Sequence, residues 1–153
     1  MRRILYFIIV VNLMFLVNVT CVQSQNEDEQ IISMLKEFYI AHNAVWTTVP
    51  TLSPDIFEWK LDSLQEKYCT TKLRKEAKKY LEDGYDLMTN EQGFGIESLS
   101  TLSIVKDSSK TSSYIVSYIS SDFDASNKPV KQQVTLHVAV VKENGKYKID
   151  EVW

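Results

Sequence analysis

The spacing of hydrophobic positions along this chain changes once. From Ile31 to Leu81 apolar residues return every third or fourth position, and from Ile96 onward they return every second one. Ile31, Leu35, Phe38, His42 and Val45 follow one another at steps of 4, 3, 4 and 3, the stripe of an amphipathic helix lying on a core. The polar, acidic run 25–29 ahead of that stripe is predicted to fray, and Thr47-Thr48-Val49-Pro50 ends the pattern with β-branched residues and a proline. Ser53-Pro54-Asp55 starts a second helix with an N-cap residue, a proline at the first helical position and an early acid. Its buried face is Phe57, Leu61, Leu64 and Tyr68. Thr70 or Thr71 caps a third helix with Leu73, Ala77, Tyr80 and Leu81 facing inward, and Gly84 stands where a left-handed residue closes it.

Beyond a polar loop at 85–95, strands are predicted at about 97–106, 112–121, 130–142 and 146–153. The serines of the first blur its alternation. In the third, Val130, Gln132, Val134, Leu136, Val138 and Val140 form one face, and His137 falls on the other. Asn144-Gly145 between the last two strands is a two-residue hairpin signal, because a type I′ turn needs positive φ at both positions. Pairing Glu143 with Lys146 sets Val140 opposite Ile149, Val138 opposite Glu151 and Leu136 opposite Trp153. Glu151 is thereby predicted on the inward face, where a carboxylate must be paired, protonated or in a wet cavity. If the strand ends early, Glu151 stands in water. Helices followed by strands give an α+β fold: three N-terminal helices packed on a curved, roughly four-stranded antiparallel sheet.

The apolar run 4–19, behind Arg2 and Arg3 and followed by Gln23-Ser24-Gln25, has the layout of a secretory signal. Cleavage after Ser24 leaves residues 25–153 as a single exported domain, periplasmic or extracellular. Acylation of Cys21 would instead tether it to a membrane as a lipoprotein. Losing Arg2 and Arg3 takes 17 basic side chains to 15 against 20 acidic ones, a formal −5. That balance argues against nucleic acid as a partner, and the Lys and Arg run on the third helix reads as a solvated face. Cys69 is then the one remaining cysteine, so no internal disulfide is expected, and it reads as a packed thiol.

The chemistry is sparse. Two histidines and one mature cysteine cannot complete a zinc tetrad without carboxylates, and the Asp122, Asp124, Ser126 start of a calcium loop fails at Asn127 and Gln133. No phosphate loop or nucleophile elbow is present, and no metal or cofactor is expected.

Phe38-Tyr39, Tyr68-Cys69-Thr70, Gly84-Tyr85-Asp86 and the closing run from Gly145 to Val152 resemble the cystatin-like superfamily, which includes the nuclear-transport-factor-two-like cone. More narrowly they resemble a secreted bacterial family of unknown function. The resemblance implies a cystatin-like cone with an apolar cavity that shifts carboxyl and imidazole pKa values toward neutrality. It makes Tyr39, His42, Tyr85, Asp86, Glu151 and Trp153 the candidate binding residues, with none assigned as catalytic. The expected function is an exported, non-catalytic module that holds a small ligand or a protein partner, possible versions being immunity or inhibition. The alternative is a small isomerase or dehydratase with Glu151 or Asp86 as base and Tyr39 or His42 as donor.

Overall fold

Helices packed against a four-stranded antiparallel sheet make up the computed structural model, an α+β architecture. It describes residues 26–48, 51–91, 95–123, 126 and 128–153, so the predicted leader 1–24 and Cys21 lie outside the described residues. The chain divides into two compact units, Met1–Ile31 and Ile32–Trp153. Of the first, residues 26–31 are described and helical, with Gln30 Nε2 donating to Asn26 Oδ1 at 2.7 Å. Residues 26–29 of the acidic run predicted to fray are therefore helix.

The second unit carries everything that follows. Helix α1 covers 26–46, and within this unit it buries Leu35, Phe38, Tyr39 and His42. Helix α2, Pro54–Tyr68, has Ser53 at the N-cap position without a side-chain cap bond, so Pro54 and Asp55 carry its start signal. Its last turn runs through Cys69 into α3, Thr71–Glu82, capped by Thr70, whose hydroxyl accepts from Leu73 N–H at 3.3 Å. Gly84, at φ +82°, ends α3: its N–H bonds Leu81 O and the Tyr85 N–H bonds Tyr80 O, both at 3.0 Å. Tyr80, predicted inward, is exposed.

The first predicted strand is corrected in its first half. Residues Ile96–Ser100 form a short helix, α4, and strand β1 is Ser103–Lys106. The reason is local, because the Ser100 hydroxyl donates to Glu97 O at 2.7 Å and that of Thr101 to Ser98 O at 3.1 Å, tightening a turn. Strands β2 (Ser113–Phe123), β3 (Pro129–Glu143) and β4 (Lys146–Val152) complete the order β1-β2-β3-β4, every pair antiparallel. Ile104, Tyr114, Val116, Tyr118, Leu136, Val138, Val140 and Ile149 form its buried face.

The hairpin turns where predicted, with Asn144 at φ +51° and Gly145 at +78°, and Glu143 pairs with Lys146 and Val140 with Ile149. The ladder then slips by one residue: Ala139 pairs with Glu151 and Val138 with Val152. Asp150 is the inserted residue of a bulge, which re-aims every side chain after it.

Candidate functional site

That bulge decides the fate of Glu151. Val152 takes the place opposite Val138 that the tight turn alone would give to Glu151, and the Glu151 side chain is 51% exposed with its carboxylate on Lys72 Nζ. Lys72 also approaches Asp150 at 3.5 Å. Placement of Glu151 among Val138, Ile149 and Trp153 is thus corrected. Trp153 moves with it: backbone bonds of 2.9 and 3.1 Å join it to His137, and its ring stacks on that imidazole at 5.6 Å, half exposed to solvent. Tyr85, freed by the turn after Gly84, is also exposed.

The remaining three candidates converge. His42 is 0% exposed and Asp86 3%, and His42 Nε2 lies 3.0 Å from Asp86 Oδ2. The helical stripe puts His42 inward, one turn from Phe38, whose ring lies 5.4 Å away. Asp86 arrives through the loop after α3. Its own Oδ1 accepts the Met88 N–H at 3.0 Å and its Oδ2 accepts the Thr89 hydroxyl at 2.9 Å, the local bonding that makes aspartate a turn residue. The backbone closes the same loop, with Asp86 N–H on Glu91 O at 2.9 Å and Asn90 N–H on Asp86 O at 2.7 Å. Asn90 takes the positive φ, +53°, that this reversal requires.

Two phenols clamp the loop from either side. Tyr39 of α1 donates to Met88 O at 3.0 Å, and Tyr118 of β2 donates to Thr89 O. Burial pushes the Tyr39 hydroxyl far above its ordinary pKa, with the charge of Asp86 adding to it. Burial does the same to Tyr118, helped by Glu91, so both remain protonated donors. Burial also pushes the Asp86 carboxyl upward. The charge and hydrogen bond of His42, the Met88 N–H and the Thr89 hydroxyl outweigh it and hold the group below the usual carboxylate value. An ionised Asp86 takes a proton-bearing Nε2. Trp46 Nε1, 3.3 Å from the same nitrogen, then makes a ring contact and not a hydrogen bond, since one nitrogen cannot donate and accept together.

Sequence reasoning finds Tyr39, His42 and Asp86 but misses Trp46, Thr89 and Tyr118. Trp46 is signalled by its place four residues after His42, and Tyr118 by its place on the inward face of β2. Nothing in the sequence ties Thr89 to either. Among the described residues no three His, Cys, Asp or Glu side chains converge to hold a metal ion, and no helix is long and apolar enough to cross a membrane.

No protein-family model matches the chain, and no curated protein matches it. It is similar to a solved structure described as a protein of unknown function from Bacteroides thetaiotaomicron, at 24% sequence identity and a TM-score of 0.75 over 90% of this chain and 98% of that one. At that identity the likeness bears on the fold alone.

Proposed function

We propose that the chain is an exported, non-catalytic binding domain with a cystatin-like cone, engaging a small ligand or a protein at its exterior. Helices preceding an antiparallel sheet support the cone, and the signal-like run 4–19 supports export. The observation that carries the binding reading is the closure of the His42–Asp86 pair. A general base must reach its substrate within hydrogen-bonding distance. The Asp86 carboxylate is instead taken up by His42, Met88 N–H and Thr89, all pointing inward, and Glu151, the other base considered, stands in water on Lys72. The polar core thus serves to hold a loop, leaving recognition to the surface.

The chain has only two histidines, one enclosed and one part-exposed on the sheet, so each reports on a different environment. Brief treatment of the folded protein with diethyl pyrocarbonate, followed by peptide mass spectrometry, is expected to modify His137 and spare His42. Modification of His42 at the rate of His137 would mean an open cavity and return the enzyme reading.

A further inference from the structure

Helices α2 and α3 line a cleft of about 350 Å³ that shares no residue with the His42–Asp86 site. The volume is at the lower end of small-molecule sites, roughly 300–1,000 Å³. Its most telling residue is Gln65. This side chain sits on the buried stripe of α2 between Leu61 and Tyr68, is only 6% exposed, lines the cleft, and forms no hydrogen bond with any described residue. Its amide is not among the fully buried polar atoms that lack a partner, so the little of Gln65 that stays accessible is the polar end, open to the cleft and able to pair with what enters it.

The rest of the lining says what that partner is. Trp59 stands at the rim 67% exposed, a large indole face offered to solvent. Asp55, Glu58 and Asp62 face Lys78; Arg74 takes up Asp62 at 3.0 Å, and Asp55 and Glu58 form no ion pair with any described residue. The lining is therefore net negative, which disfavours an anion, and an indole face with nearby carboxylates attracts an organic cation.

We infer that the α2–α3 cleft binds a small organic ammonium or guanidinium group, the charge held by Glu58 and Asp55, its apolar stem on Trp59 and a polar group on the Gln65 amide. This rests on the exterior-binding reading above and names the ligand class for it. The same chemistry is carried by a free amine and by a lysine side chain on a protein partner.

The test is a titration of the exported protein with n-butylammonium chloride, following the Trp59 indole N–H and the Gln65 side-chain amide by NMR. Sodium butyrate and butanol serve as anionic and neutral comparators of equal length. Butylammonium is expected to move both signals saturably, less tightly as salt rises, and the comparators to leave them in place. Trp59→Ala, read at Gln65, and Gln65→Leu, read at Trp59, should each weaken binding by about tenfold. Both variants should fold, since one changes an exposed ring and the other fills an apolar stripe. A capped Gly-Lys-Gly peptide that saturates the same signals assigns the site to a lysine side chain; saturation by butylammonium alone assigns it to a free amine. The inference is overturned if neither signal saturates, if butyrate or butanol acts as well as the ammonium, or if Trp59→Ala binds unchanged. That failure leaves the binding reading standing so long as His42 resists diethyl pyrocarbonate, whereas a reactive His42 defeats that reading whatever the titration gives.

Discussion

A histidine on the apolar stripe of a helix needs a partner, and here Asp86 supplies it from a loop 44 residues along the chain. Because the carboxyl is held below its ordinary pKa in the fold, its contribution to stability is complete above the unfolded value near pH 4 and disappears as pH falls through the folded one. Urea midpoints of the native protein should therefore drop on acidification below about pH 4. Asp86→Asn should lower the neutral-pH midpoint and flatten that drop; an unchanged acid slope would deny Asp86 this role. Cys69 shows burial acting without such compensation. Burial pushes its thiol up to about 12, Lys148 and Arg74 offset only part of this, and Asp86 adds to it. A buried thiol of that kind is inert. Iodoacetamide at mild alkaline pH should leave the Cys69 peptide unmodified in the folded protein and alkylate it fully in urea, and rapid native alkylation would contradict its burial.

At the scale of elements, what was legible in the sequence was local. The Asn144-Gly145 turn was legible because its signal is two positive φ values, and both are present. At Gly145 a Cβ would meet no atom within 4 Å, so Gly145→Ala should cost only the left-handed penalty of about 1–2 kcal/mol, read from the urea midpoint. A much larger loss would mean a steric clash at the turn. The bulge six residues on was not legible, because its partners come from the cap and first turn of α3. Thr70 N–H bonds Ile149 O at 2.9 Å, the Thr70 hydroxyl donates to Asp150 Oδ1 at 2.8 Å, and Lys72 draws in Asp150 and Glu151. Those contacts favour an extra residue in β4 and override the register that the turn alone sets. The strand misread at Ile96–Ser100 has the opposite cause. Serine and threonine hydroxyls there bond their own backbone, which periodicity does not register.

At the scale of the second unit, two elements distant in sequence meet at one loop. Helix α1 contributes Tyr39 and His42, β2 contributes Tyr118, and the loop at 86–91 receives both phenols on its carbonyls while returning Asp86 to His42. The helical stripe made His42 legible, and the Gly84 stop made the loop legible. Their meeting depends on how α1 lies over the sheet, which no periodicity encodes. The imidazole–carboxylate pair and the two phenols together tie the helical layer to the sheet through this loop. Breaking one partner of such a buried pair leaves the other uncompensated, at a cost of about 3–5 kcal/mol. The most direct test is a double-mutant cycle in urea at neutral pH with His42→Phe, which keeps the ring packing, and Asp86→Asn, which keeps an acceptor for Met88 N–H. The account predicts that the double variant loses less than the two single losses together by at least about 1 kcal/mol. Losses that simply add would show that His42 and Asp86 are not coupled, and would contradict it.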